Sequence, residues 1–154
     1  MTITVKVVLK DFLNPAMKLP EYATAGSGAL DVQANISKPV KIEAGMTYAI
    51  PLGFSVSPSE PSIHGLLLPR SGKGIKGLVL ANLIGLIDND YQGEVTAVVW
   101  NRNRYGNITI QPGEKIAQLA FVELPQVTFE IAELLDTTTE RGEGGFGSTD
   151  TEPK

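Results

Sequence analysis

Two acids, Asp88 and Asp90, stand close together inside Gly85-Leu-Ile-Asp-Asn-Asp-Tyr-Gln-Gly93, with an aromatic, Tyr91, beside them and a glycine at each end. A carboxylate in such a turn can orient a water molecule and accept its proton, the task of a general base. The flanks, Leu78 to Ile87 and the alternating Glu94-Val-Thr-Ala-Val-Val-Trp100, are apolar and rich in β-branched residues. Runs of that kind read as buried strands, which places the acids at the mouth of a hairpin, close to the core. Charge held there is costly unless a function requires it. A capping Asp explains one acid. The second acid, the aromatic and the paired glycines favour a site.

Pro69-Arg-Ser-Gly-Lys-Gly-Ile-Lys-Gly77 offers a guanidinium, a hydroxyl, two ammonium groups and glycine-rich backbone N–H donors, a chemistry suited to an anion. Gly72, Gly74 and Gly77 spell the dinucleotide fingerprint, but that fingerprint opens a helix, and Leu78-Val-Leu80 is strand-like. A Rossmann or P-loop site is therefore excluded. Thr24-Ala-Gly-Ser-Gly-Ala-Leu-Asp31 is a further glycine-rich turn ending in an acid, and Gly113-Glu-Lys-Ile-Ala-Gln118 is a turn opening a strand, with an amide in an apolar run. Alone, each is weak. The single histidine, His64, has no second histidine and no nucleophile spaced to it, so Ser–His–Asp chemistry and a His-based zinc site are disfavoured. Near the C-terminus, Arg141-Gly-Glu-Gly-Gly-Phe-Gly-Ser-Thr149 combines a guanidinium, an aromatic plate and hydroxyls. Those groups suit closure over an aromatic anion, the ring on a base and the cation on phosphate.

The elements that must position these groups are strands. Val5 to Leu9, Val40 to Ile42, Thr47 to Ile50, Phe54 to Val56, Gly65 to Leu68, Leu78 to Leu80, Val95 to Trp100, Ile108 to Ile110, Ile116 to Val122 and Val127 to Ile131 are short and apolar. Gly, Pro, Asn and Ser clusters separate them at the spacing of an all-β sandwich or barrel. Sixteen glycines and ten prolines leave no amphipathic helix beyond a turn or two. At 154 residues the chain holds one well-buried domain, read as 1–135. A tail, 136–154, is too polar to order itself. A net charge of −4 argues against a general nucleic-acid binder, and the absence of cysteine removes disulfides and thiolate sites. No apolar run approaches membrane-spanning length and no signal-peptide pattern opens the chain, so a cytoplasmic location is the default expectation.

The five segments, in this order, resemble the homotrimeric dUTP pyrophosphatase (dUTPase) family, over nearly the whole chain from Tyr22 to Thr149. The motifs are Gly28-Ala-Leu-Asp31, Pro69-Arg-Ser-Gly72, Gly85 to Gly93, Gly113 to Gln118, and Arg141 to Ser148. Any one is weak; five in register are strong. The departures are the order Gly28-Ala29, Lys73 after Ser71-Gly72 where the family has leucine, and Asp150 where it closes on glycine.

The resemblance implies a jelly-roll-like β-barrel with a flexible C-terminal arm, three copies about a threefold axis, and an active site at each subunit interface. It implies hydrolysis of dUTP to dUMP and pyrophosphate with Mg²⁺, which limits uracil in DNA and supplies dUMP for thymidylate synthesis. Asp88 would be the base that orients water, with Arg70 nearby to hold it ionised. Ser71, Gly72 and Gln118 would hold phosphate oxygens, and Asp31 would hold the metal through water. Asn82 and the hairpin through Leu83 to Val98 would read uracil, and Tyr91 would lie under the deoxyribose. Arg141, Phe146, Gly147 and Ser148 of a neighbouring arm would close the site. The related dCTP deaminases carry a Glu at the end of the strand after the third motif; here it ends Val98-Val-Trp-Asn101, without an acid. A dUTPase-like trimer acting mainly as a protein-binding module is the remaining rival, favoured by an inserted segment that this chain lacks.

Overall fold

The structure, a computed structural model, describes residues 2–15, 17–135, 139 and 141–144. In chain order the strands are β1 (Val5–Leu9), β2 (Glu21–Tyr22), β3 (Leu30–Gln33), β4 (Val40–Ile42), β5 (Thr47–Pro51), β6 (Phe54–Pro58) and β7 (Ile63–Pro69). A single helical turn follows, α1 (Ser71–Gly74), and then β8 (Leu78–Leu80), β9 (Gly85–Ile87), β10 (Thr96–Asn101), β11 (Ile108–Ile110) and β12 (Lys115–Glu123). Every pairing is antiparallel. The largest sheet has the order β2-β3-β12-β7-β9, the next β5-β10-β8, and β1-β6 and β11-β4 are two-stranded. Strands distant in sequence lie side by side, β12 between β3 and β7 and β10 between β5 and β8, the arrangement of a jelly-roll-like all-β fold.

The alternation in the sequence accounts for the layers. In β10, Ala97, Val99 and Asn101 point inward while Thr96 and Val98 face out, as a period of two requires. The core draws on every layer: Val32, Ile42, Ile50, Leu52, Phe54, Leu80, Val99, Ile110 and Leu119 are all buried. Truncating a fully buried aromatic such as Phe54 to alanine costs about 3–5 kcal/mol.

Three strand expectations change. Leu78 to Ile87 is not one strand: it breaks at Asn82-Leu83, where Leu83 takes a left-handed φ of 62°. β8 stays with β10, and β9 crosses to pair with β7, so the acids follow a crossover between sheets and not a simple hairpin. Val127 to Ile131 forms no strand, because nothing among the described residues pairs with it; the last strand ends at Glu123. Two short strands, β2 and β3, lie outside the expected set, since Glu21–Tyr22 is too short to show a pattern and Asp31 and Gln33 interrupt the apolar run of β3.

One buried polar residue ties the core to its rim. Asn101 is fully buried, its amide nitrogen donating to the carbonyls of Ile42 and Gly106 at 3.0 Å each and its oxygen accepting from the Asn103 amide at 3.2 Å. Leucine there would remove the donor from the carbonyl of buried Ile42 and from that of Gly106, at the rim. Asn101→Leu is expected to lower stability by about 1–3 kcal/mol, read as a fall in Tm of roughly 2–4 °C per kcal/mol. A thermal melt unchanged from the parent would show that the carbonyls find other donors.

Candidate active site

Two separate clusters carry the residues singled out from the sequence. The first is built across β3, β12 and β7, where Asp31, Gln118 and Leu68 lie opposite one another in register. The turn that starts β12 reads Gln111-Pro-Gly-Glu114, with Gly113 at φ 74° and the Glu114 amide donating to the Gln111 carbonyl at 3.1 Å. Proline followed by a left-handed glycine is the chemistry of a type II turn. It delivers Glu114 to two tasks. One carboxylate oxygen accepts from the Gln111 amide at 2.7 Å, and the other pairs with Lys73 of α1. On the far side of α1, the Arg102 guanidinium donates to the Gly74 carbonyl at 3.1 Å and the Asn103 amide to the Lys76 carbonyl at 3.1 Å. The phosphate-type loop is thus held from both flanks.

Arg70 leads into α1 and forks onto Asp31, Nε to Oδ1 at 2.8 Å and a terminal nitrogen to Oδ2 at 3.4 Å, while also reaching the Lys115 carbonyl at 3.2 Å. The Lys115 ammonium donates to the same carboxylate at 3.0 Å. Gln118 donates to the Pro69 carbonyl at 2.9 Å, which leaves its own oxygen free of that bond. Asp31, Arg70, Ser71, Gly72 and Gln118 line a cavity of about 350 Å³. The first amides of a helical turn have no acceptor within it, and those of Ser71 and Gly72 belong to this lining together with the Ser71 hydroxyl. Lys73, offered by the sequence as an anion contact, is committed to Glu114 instead, and Lys76 is exposed.

The second cluster surrounds a cavity of about 210 Å³ lined by Asn82, Gly85, Asp88, Tyr91, Thr96 and Val98 among others. The Ala81 amide donates to the Val98 carbonyl at 2.8 Å and extends the β8–β10 ladder to its edge. Leu83, with its costly positive φ, turns the chain away there; strain of this kind concentrates at functional sites. Asn89 anchors the acid turn by donating to the carbonyls of Glu60 and Ile63 at 2.9 and 3.1 Å. Asp88 and Asp90 are exposed, contrary to the expectation of acids close to the core, because the crossover carries them out to the domain edge.

The expected contact between Arg70 and Asp88 is absent within one chain. β9 runs antiparallel to β7, with Ile87 opposite Gly65, so Asp88 lies by the Ile63 end of β7 and Arg70 follows its Pro69 end. At about 3.3 Å per residue, the ends of this seven-residue strand are roughly 20 Å apart. The two cavities share no residue.

Arg141 bonds locally, its Nε donating to the Gly144 carbonyl at 3.0 Å. Phe146, Gly147 and Ser148 lie outside the described residues, as does Asp150. Among the described residues no group of three or more His, Cys, Asp or Glu could hold a metal ion, and no helix is long and apolar enough to cross a membrane. Asp31, with two cations on its oxygens, keeps lone pairs that can accept from a metal-bound water, which fits outer-sphere contact with a hydrated Mg²⁺ and not direct ligation. A larger groove of about 440 Å³, lined by Val5, Val7, Leu19, Tyr22, Leu30 and Phe121, is apolar and carries none of the candidate site residues. Sequence reasoning missed Lys115, Glu114, Asn89 and Glu94. The first three sit in motifs already quoted, but a turn sequence does not reveal which partner a side chain finds.

Removing the Asp31 carboxylate would take the ion pair from Arg70 and leave Lys115 only its longer contact with Glu21 at 3.9 Å. Because both cations are about a third exposed, Asp31→Ala is expected to cost about 1–2 kcal/mol in a urea titration at low salt. Added salt should narrow the deficit by screening the two cations. An unchanged midpoint would mean that the fork contributes nothing to the fold.

Comparison with known proteins bears on both clusters. A family model described as dUTPase matches residues 16–150. A deoxyuridine 5'-triphosphate nucleotidohydrolase of Escherichia coli is 50% identical over 141 residues, 91% of this chain and 92% of the relative. A Staphylococcus bacteriophage 80alpha dUTPase solved with dUPNHPP superimposes with a TM-score of 0.82 at 27% identity, over 94% of this chain and 97% of the other. A dUTPase of phage phi11, described with a structural Mg(II) ion, is 22% identical with a TM-score of 0.73, over 87% and 99%, and shares the fold. With the family model spanning both clusters, the chain belongs to the dUTPase family.

Proposed function

We propose that this chain hydrolyses dUTP to dUMP and pyrophosphate in the cytoplasm, in a site that two copies build together within a homotrimer. The observation that carries the reading is the division of labour between the ends of β7. One end gathers donors for an anion and offers no nucleophile. The other holds a small cavity with a carboxylate at its mouth. Separated by the length of a strand, the halves can meet only if one copy brings its Pro69 end against the acid turn of another.

In such a site Asn82 and the backbone edges of β8 and β10 take the uracil, and Tyr91 lies along the deoxyribose. Asp88 accepts a proton from a water molecule while the oxygen of that water bonds to the α-phosphorus. The bond from that phosphorus to the bridging oxygen breaks, and pyrophosphate departs with the electron pair. Ser71, Gly72, Gln118 and Arg70 hold the phosphate oxygens, and Asp31 fixes the guanidinium plane. A bound Mg²⁺ supplies charge neutralisation on the triphosphate, and the waters it keeps are what Asp31 could hold. Positioning and electrostatics suffice for a phosphoryl reaction of this type, so the lack of a nucleophile is no obstacle.

The residues beyond β12 support assembly. Val127, Phe129 and Ile131 alternate as a strand would, yet they are 72%, 95% and 101% exposed, with Leu134 and Leu135 nearly as bare. A row of that kind calls for a neighbour's surface, and a closed ring gives each copy one. We place Arg141, Phe146, Gly147 and Ser148 of the tail over the neighbouring nucleotide, the ring on uracil and the cation and hydroxyl on phosphate.

Pyrophosphate release from dUTP, UTP, dCTP and dTTP, with and without EDTA, tests the reading. Only dUTP should turn over well, and EDTA should suppress it; comparable rates across the panel would indicate a general nucleotide hydrolase. Asp88→Asn keeps the shape of the turn but cannot accept the proton. It should retain assembly and nucleotide binding while losing roughly 10²–10⁴-fold in rate. Near-normal turnover in that variant would remove Asp88 from the role.

A further inference from the structure

We infer that Gly93 is the positioning residue for Tyr91 and, through it, sets how strictly the site excludes a 2′-hydroxyl; this rests on the reading of Tyr91 as the wall against the sugar. A Cβ added at Gly93 would stand 2.3 Å from the Tyr91 hydroxyl oxygen, 2.4 Å from Cζ and 2.9 Å from Cε2. No side chain fits in that space while the ring stays where it is.

The usual reason for a glycine does not apply. The glycines with positive φ among the described residues are Gly45, Gly53, Gly77, Gly106, Gly113 and Gly142, and Gly93 is not one of them. No left-handed backbone therefore calls for a glycine there. A glycine at such a position only adds entropy to the unfolded chain, so the turn gains nothing from it. The ring does.

Tyr91 needs that floor because burial does not hold it. The side chain is about half exposed, and its hydroxyl donates to the Glu94 carbonyl at 3.3 Å. Glu94 is fixed in turn, its carboxylate accepting from the Gly53 amide at 2.8 Å. The tip of the ring therefore occupies the space a Gly93 side chain would fill, tied to Glu94, and Tyr91 lines the cavity that also holds Asn82 and Asp88. An alanine at 93 would lift the tip and break the bond to Glu94. The ring would swing on its exposed side, with no demand on the core.

The test is a double-mutant cycle on the full-length protein, with kcat/KM measured for dUTP and UTP in the parent, Gly93→Ala, Tyr91→Ala and the double variant. Gly93→Ala should keep the assembly and reduce the preference for dUTP over UTP by about tenfold or more. Adding Gly93→Ala to Tyr91→Ala should leave the preference unchanged and lower the melting temperature no further, since the ring it disturbs is gone. That arm remains informative even if Gly93→Ala alone folds poorly. If Tyr91→Ala relaxes the preference and Gly93→Ala leaves it at the parent level, the inference about Gly93 falls and the role of Tyr91 stands. If neither substitution changes it, both fall.

Discussion

Strand β7 is hydrogen-bonded along both edges, to β12 from Ile63 to Pro69 and to β9 from Gly65 to Leu67. Each neighbour brings chemistry to a different end. β12 carries Gln118 and Lys115 to the Pro69 end, where Arg70 and α1 begin. β9 runs the other way and releases Asp88 by Ile63. The antiparallel sense of these two ladders keeps Asp88 and the Arg70 guanidinium a strand's length apart in one molecule. A site needing both has to be intermolecular, and the bare apolar row from Val127 onward points to the same requirement.

The two half-sites are stiffened differently. Around Asp31 the means are charge and turn chemistry: a fork from Arg70, a second cation from Lys115, and a proline–glycine turn that brings Glu114 to Lys73. Such groups stay close to the geometry that phosphate oxygens need, at little reorganisation cost when charge develops. Around Asp88 the means are steric and local: the left-handed Leu83, the doubly bonded Asn89, and a tyrosine laid on a glycine. On the proposed reading, the first half takes a flexible triphosphate and the second a rigid base and sugar. Discrimination belongs to the second, because excluding a group requires walls that do not yield.

Much of this architecture is legible in the amino-acid sequence. The period-two pattern of β10 and the short spacing of glycine and proline indicate an all-β class directly, because alternation and turn chemistry are properties of short stretches of chain. The motifs are visible for the same reason. What stays hidden is non-local. Nothing in Leu78 to Ile87 announces that the chain changes sheets at Leu83, and nothing in Val127 to Ile131 shows that it finds no pairing strand among the described residues. The pairing of Arg70 with Asp31, and not with Asp88, depends on which strand lies beside β7. Residue types name the chemistry, but they cannot say which strands bring it together.

The central claim, that each site takes its base from one copy and its phosphate donors from another, has a direct measurement. Asp88→Asn and Arg70→Ala chains, each inactive alone, are denatured together, allowed to reassemble, and assayed for dUTP hydrolysis. Mixed assemblies contain sites in which the intact Asp88 of one variant faces the intact Arg70 of the other, so the mixture should recover activity that neither parent shows. If each site were contained in one chain, every site would carry one lesion. The mixture would then stay as inactive as its parents, although mixed assemblies are demonstrably present.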